Sequence, residues 1–205
     1  MKVFMYTTIF CDLGNVVIDI YPEVMCDNLG KLTGLGGEFI TELLFKKNLL
    51  DQYESGKMST QDLCQHLSEL SSRDLEIAEV AHHMSFENSR PRPGMVEILE
   101  KIKKNGIELI ALSNTNEIHF EFNRDTGNYM HHFDDLILSY AVGAIKPDPK
   151  IYAHALKAAS SAPEKCLFID DLEENIKGAQ AAGIHGHHFT GIEPLYRCLK
   201  LHRCL

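Results

Sequence analysis

The sequence predicts an α/β fold, a Rossmann-like parallel sheet core with an inserted all-helical segment. Short β-branched apolar runs alternate with amphipathic helical patterns through most of the chain, which implies crossover connections and a parallel sheet. The stretch from about 20 to 88 breaks that rhythm, offering helical patterns and no good strand. Polar clusters follow the apolar runs, at the carboxyl ends where open α/β sheets place their ligands.

The first strand is Thr7–Cys11, ended by Asp12-Leu13-Gly14-Asn15, whose glycine reads as a tight turn. Met1-Lys2-Val3-Phe4 reads as part of this first strand and not as a targeting segment, because Tyr6-Thr7-Thr8 interrupts the apolar stretch and Asp12 stops it. Helical patterns then cover Glu38–Leu50, Thr60–Leu70 and Asp74–Met84. Ser59-Thr60-Gln61-Asp62 reads as a helix start, and Gly34-Leu35-Gly36-Gly37 as a flexible connection. Pro91-Arg92-Pro93-Gly94 marks the return to the core. The expected organisation is a core of residues 1–19 and 89–205, with 20–88 as a helical lid over the strand ends.

Within the core, a helix carrying Val96, Ile98, Leu99 and Ile102 stops at Asn105-Gly106 and feeds a second strand, Ile107–Leu112. Leu136–Leu138 is a short third strand. A helix over Pro149–Ser160, with Ile151, Ala155 and Leu156 on one face, precedes the fourth, Cys166–Ile169. The helix Glu174–Ala182, stopped by Gly183, precedes the fifth, Ile184–Phe189. Leu195–Leu205 reads as an amphipathic packing helix.

Composition bounds the function. A chain of 205 residues, 44% hydrophobic, suits one globular domain or a core with an insertion. The formal charge of −9 and the lack of any Lys/Arg block argue against a nucleic-acid partner, though not against a small phosphorylated substrate. Six cysteines without a CxxC pair point to a reducing, cytoplasmic compartment. No stretch approaches the length of a membrane span. The 11 histidines show neither HExxH nor a zinc-ligand spacing. Monomer and homodimer both stay open.

Four polar clusters lie at or near strand ends: Asp12-Leu13-Gly14-Asn15, Ser113-Asn114-Thr115-Asn116, Lys146-Pro147, and Asp170-Asp171 with Asn175. Each has a bland reading, as a turn former, a capping loop, a solvated lysine or an acidic helix cap. None of those readings explains why all four gather at one sheet edge. Together they supply a carboxylate nucleophile, phosphate-oxygen donors, a charge neutraliser and metal ligands, the inventory of phosphoryl transfer.

In order and spacing the clusters resemble the four motifs of the haloacid dehalogenase superfamily, and the helical insertion resembles its type 1 cap. The stretches Phe10-Cys11-Asp12-Leu13-Gly14-Asn15-Val16, Leu112-Ser113-Asn114-Thr115-Asn116, Lys146-Pro147 with Ile151-Tyr152, and Ile169-Asp170-Asp171 through Asn175 to Gly183-Ile184 are most similar to the bacterial alpha-D-glucose-1-phosphate phosphatase group. The resemblance implies a Mg²⁺-dependent phosphatase acting on a small phosphorylated metabolite, for example a sugar phosphate. By it Asp12 attacks phosphorus and forms an aspartyl-phosphate. Ser113 and the Asn114 backbone hold phosphoryl oxygens, and Lys146 binds phosphate and balances charge. Asp12, the Gly14 carbonyl and Asp171 hold Mg²⁺, with Asp170 and Asn175 supporting.

Gly14 departs from many relatives, which carry a second aspartate there as general acid and base. Glycine keeps the carbonyl but cannot move a proton, a role typically worth about 10²–10⁴-fold. The departure motivates a rival expectation, a phosphate-ligand-binding regulatory or interaction protein with weak turnover. Carbon–halogen hydrolysis ranks third, because that branch works without the metal.

Overall fold

In the computed structural model, which describes residues 5–85 and 89–205, the apolar runs assemble into a five-stranded sheet. The reading of Met1-Lys2-Val3-Phe4 and the lid boundary at Asn88 lie outside the described residues. The chain begins with β1 (Thr8–Cys11), β2 (Ile18–Asp19), α1 (Pro22–Thr33), α2 (Gly37–Thr41), α3 (Leu49–Glu54), α4 (Thr60–Ser71) and α5 (Ile77–Met84). It continues through β3 (Arg90–Pro91), α6 (Met95–Lys104), β4 (Glu108–Ser113), α7 (Glu117–Thr126), β5 (Asp135–Leu138) and α8 (Ser139–Val142). Last come α9 (Pro149–Ala158), β6 (Cys166–Asp170), α10 (Glu173–Ala181), β7 (His185–His188) and α11 (Ile192–Leu201).

The sheet runs β5-β4-β1-β6-β7 with every pairing parallel, so β1 is central and buried along its whole length. Side chains alternate across a strand, and the core divides accordingly. Ile9 and Cys11 face α6 and α11, against Leu99, Ile102, Leu195 and Leu199. Phe10 faces the opposite layer with Ile151, Tyr152, Ala155 and Ile176 of α9 and α10. The segment from α1 to α5 buries a third cluster, including Met25, Leu29, Leu44, Leu67 and Met84, which Ile118 of α7 joins. The short antiparallel pair β2–β3 sets Ile18 beside Pro91 and Asp19 beside Arg90, so the chain leaves the sheet and returns to it side by side. Among the described residues, no helix is long and apolar enough to cross a membrane.

The single helix expected over Glu38–Leu50 is instead broken. A π turn at Glu42–Lys46 separates α2 from α3, with the Lys47 N–H donating to the Glu42 carbonyl at 3.0 Å. Asn48 then adopts a left-handed backbone (φ 56°), a conformation asparagine tolerates. The break rotates the helix phase so that Ile40, Leu44, Leu49 and Tyr53 all reach one apolar cluster. In contrast, α4 begins where the Ser59-x-x-Asp62 spacing places it, with a reciprocal capping box between those two residues.

Candidate active site

Strand register builds the site. Cys11 pairs with Ala111 on one side and Ile169 on the other. One residue further along, Asp12, Leu112 and Asp170 therefore stand abreast at the carboxyl edge of the sheet, and the Asp12 N–H donates to the Ile169 carbonyl at 2.9 Å. Lys146 arrives on the loop after α8 and spends its ammonium on all three positions. It donates to the Leu112 carbonyl at 2.9 Å and to Asp170 Oδ2 at 2.7 Å, and pairs with Asp12 Oδ1 at 2.9 Å. Only 1% of the Lys146 side chain is exposed, so this is a desolvated ion network. Burial raises the Asp12 carboxyl above its ordinary value against the pull of Lys146. Burial alone would lower the Lys146 ammonium, but Asp12 and Asp170 outweigh it and raise it above its ordinary value.

Asp170 is wholly buried and already saturated with donors. Its oxygens accept from Lys146, from the Leu172 N–H at 2.8 Å, and from Asn175 Nδ2 at 3.0 and 3.1 Å. Asn175 is itself pinned through its carbonyl, which accepts from Tyr152 Oη at 2.8 Å. Asp171 differs from its neighbour. It is partly exposed to the cavity, and burial and the adjacent Asp170 raise its carboxyl, with the Asn15 side chain opposing them. Asn15 takes a left-handed backbone (φ 55°) to bring the loop after β1 round to this point.

Ser113 ends β4, with its hydroxyl making only a long 3.4 Å contact to the Asn114 carbonyl. The Asn114 side chain has a role the sequence does not announce. Its Oδ1 accepts from the Lys146 N–H at 2.7 Å and its Nδ2 donates to the Lys146 carbonyl at 3.1 Å. That double clasp fixes the lysine loop against the end of β4. Ser139 does the same for the next residue, donating to the Thr115 carbonyl and accepting from the Thr115 N–H, each at 2.9 Å.

Asp12, Gly14, Ser113, Asn114, Lys146, Asp171 and Asn175 all line one cavity of about 300 Å³, while Asp170 stands behind it as a buried support. Oxygens of Asp12, Asp170 and Asp171 lie within 4.8 Å of one another, the one such cluster of possible metal ligands among the described residues. Asn175 lines the same cavity but is only 2% exposed, and its Oδ1 has no hydrogen-bond partner among the described residues. This cluster of hard carboxylate oxygens fits a divalent cation such as Mg²⁺, for which Asp12 and Asp171 would be ligands.

The opposite wall is apolar and comes from the helical segment and α7. It includes Pro22, Met25, Phe45, Leu50 and Phe120, with Glu54 among them. Helix α7 is held to α5 by a buried polar chain. Asn116 caps α7, its Oδ1 accepting from the His119 N–H at 3.0 Å. The Asn116 Nδ2 then lies 2.9 Å from His119 Nδ1, and His119 Nε2 lies 3.1 Å from the carbonyl of Met84, the last residue of α5. The arrangement assigns the neutral Nε2–H tautomer. A second proton would point at the Asn116 amide, and burial lowers the His119 pKa to about 4 from 6.5. Stability supplied by this neutral ring is complete above pH 6.5 and is lost as pH falls towards 4, because only the unfolded chain takes up the proton. The expected loss is about 3 kcal/mol over that window. Urea unfolding of wild type and His119→Gln between these pH values checks it, with the variant showing the shallower acid slope.

Sequence reasoning missed Glu54, His119 and the clasp by Asn114. The Asn116-x-x-His119 capping spacing was the one signal available for α7.

The chain belongs to the haloacid dehalogenase-like hydrolases, whose family model matches residues 6–183. It is thus a hydrolase by family. Among curated proteins it is 28% identical to a sesquiterpene phosphatase, astK, of Aspergillus oryzae, over 93% of this chain and 92% of that one. It is 27% identical to a D-ribitol-5-phosphate phosphatase of Bacteroides thetaiotaomicron, over 84% and 86% of the two chains. A HAD family enzyme of Bacteroides thetaiotaomicron, solved in complex with magnesium and inorganic phosphate, superposes with a TM-score of 0.71 over 89% of this chain and 93% of its own. At 22% identity that last likeness is one of fold.

Proposed function

We propose that this hydrolase is a Mg²⁺-dependent phosphatase that cleaves a small phosphorylated metabolite through an aspartyl-phosphate on Asp12. The observation that carries the reading is the convergence of Asp12, Lys146 and Asp171 on one cavity wall, backed by Asp170. Asp12 is the nucleophile. Lys146, with all its donors satisfied by oxygen, offsets the charge that gathers as a phosphate dianion meets a carboxylate. Ser113 and the Asn114 backbone receive the phosphoryl oxygens.

Asp12, Asp171 and the Gly14 carbonyl would hold Mg²⁺, and the saturation of Asp170 by four hydrogen bonds from three donors supports Asp171 over Asp170 as the ligand. Bound there, the ion supplies positive charge to the phosphoryl oxygens. The Bacteroides HAD enzyme crystallised with magnesium and phosphate, and the two phosphatases among the relatives, support the same reading. We read α1–α5 as the family's helical cap, closing the cavity over the strand ends. All six cysteines are free thiols, which supports a reducing, cytoplasmic compartment.

The Asp12-Leu13-Gly14-Asn15 loop supports kinship with the glucose-1-phosphate phosphatase group and hence a sugar phosphate substrate. A second substrate body is favoured by the apolar wall of Met25, Phe45, Leu50 and Phe120, which offers a polyol few hydrogen-bond partners. The Aspergillus relative, a sesquiterpene phosphatase, agrees with it.

The deciding experiment is phosphate release from a panel of sugar, nucleotide, alkyl and prenyl phosphates. Turnover with Mg²⁺ is expected on at least one class. Chelation by EDTA should reduce it at least about 10²-fold and added Mg²⁺ should restore it. No release from any ester, accompanied by ligand-dependent shifts in melting temperature, would instead establish a phosphate-binding protein. Turnover unaffected by chelation would contradict the metal assignment.

A further inference from the structure

Glycine at position 14 leaves the nucleophile loop without a proton donor, yet the cavity contains a carboxyl that the phosphatase reading does not use. Glu54 is the last residue of α3 and lines the cavity that Asp12, Ser113 and Lys146 also line. Its carboxyl has no hydrogen-bond or ion-pair partner among the described residues.

Its position is set by its neighbours. Tyr53 is buried, with its hydroxyl 2.8 Å from Thr60 Oγ1. Gly56 lies so close to α8 that a Cβ there would come within 2.4 Å of the Tyr140 carbonyl oxygen. The end of α3 is thus seated on α8, and Glu54 lines the same cavity as Asp12, Ser113 and Lys146.

We propose that Glu54 is the catalytic acid and base of this enzyme, supplying from the lid the proton transfer that Gly14 cannot. The inference rests on the phosphatase reading above. As Asp12 Oδ bonds to phosphorus, the bond from phosphorus to the substrate's ester oxygen breaks. That oxygen keeps the electron pair and takes the proton of the Glu54 carboxyl, releasing an alcohol. The Glu54 carboxylate then takes a proton from the water that attacks the aspartyl-phosphate. Inorganic phosphate leaves, and the Asp12 carboxylate and protonated Glu54 are restored.

The surroundings suit both halves of that cycle. Burial, with Asp51 on its own helix and Asp12 across the cavity adding to it and Lys146 opposing, raises the Glu54 carboxyl to about 8. Asp171 and His119 are the other titratable groups of the cavity. An arriving phosphate dianion favours the protonated form and a bound divalent cation opposes it, so the group stays within reach of neutrality, where acid–base catalysis is most efficient.

The test compares wild type with the isosteric Glu54→Gln variant on two esters, n-butyl phosphate and 4-nitrophenyl phosphate. Butoxide needs a proton to leave and nitrophenolate does not. Glu54→Gln is expected to lose about 10²–10³-fold in kcat/KM on butyl phosphate and at least about tenfold less than that on nitrophenyl phosphate, because kcat/KM reports the step that expels the leaving group. The fall in butyl phosphate kcat/KM above pH 8 should disappear with it. Adding Gly14→Asp to Glu54→Gln should recover activity on the butyl ester. The backbone at Gly14 is not left-handed, and the new Cβ would meet only the tip of Ile20, at 3.3 Å. Equal losses on the two esters, or an unchanged pH limb, would overturn the assignment of Glu54 alone. A wild type inactive on both esters, and on the wider panel, would overturn the phosphatase reading and Glu54 with it.

Discussion

Asp12→Asn is expected to lower turnover by at least about 10⁴-fold while leaving the protein folded. The amide has nearly the shape of the carboxylate but carries no charge with which to attack phosphorus. The fold tolerates the exchange because Lys146 keeps two of its three acceptors, Asp170 Oδ2 at 2.7 Å and the Leu112 carbonyl at 2.9 Å. The Asp12 backbone, whose N–H donates to Ile169, is unaffected. Steady-state kinetics on the best substrate, with a thermal melt on the same sample, separates the two effects. A variant within tenfold of the wild-type rate would remove Asp12 from the chemistry. A variant that fails to fold would show that the lysine needs both carboxylates.

Lys146→Met carries the largest expected cost in stability. It leaves Asp170, whose side chain is 0% exposed, and Asp12, whose side chain is 12% exposed, facing each other without a counter-charge. Breaking a buried pair from one side typically costs about 3–5 kcal/mol. For a chain of this size that is a melting temperature lower by roughly 6–20 °C. Turnover should fall with it by at least about 10²-fold, since the charge balance at the phosphate is lost. The double variant Lys146→Met/Asp170→Asn should recover much of the stability and none of the activity. Melting and kinetics on the single and double variants therefore distinguish a lysine that only braces the sheet edge from one that also acts on substrate.

Much of this was legible in the chain, for reasons that differ by element. The strands β1, β4 and β6 read clearly because a parallel strand buried on both faces must be a nearly continuous apolar run, as Thr8–Cys11 and Cys166–Asp170 are. The four polar clusters read clearly because each follows such a run or lies near a strand end. Helix α1 did not read, since Gly30 sits in its interior and glycine weakens a helix. The structure explains that glycine. A Cβ at Gly30 would meet the Gly37 backbone nitrogen at 2.4 Å, so its absence is what lets α1 and α2 pack closely.

Helix α7 was obscured for another reason. Two of its buried positions, His119 and Asn123, are polar, and their stability comes from hydrogen bonds and not from an apolar stripe. The pairing of Asp170 with Lys146, and the clasp of Asn114 on the same lysine loop, depend on strand register, which no single segment encodes. Glu54 was invisible on the same ground. Its meaning lies entirely in sharing a cavity with Asp12, and nothing about the run Tyr53-Glu54-Ser55-Gly56 taken alone requires that.

The most direct measurement is a crystal structure of the protein grown with Mg²⁺ and trifluoroberyllate, a mimic of a phosphoryl group bound to carboxylate. The expected result is beryllium bonded to an Asp12 oxygen, the metal on Asp12, Asp171 and the Gly14 carbonyl, Ser113 and the Asn114 backbone against the fluorines, and Lys146 still bridging Asp12 and Asp170. An adduct that avoids Asp12, or a metal seated away from Asp171, would contradict the assignment of this sheet edge as a phosphoryl-transfer site.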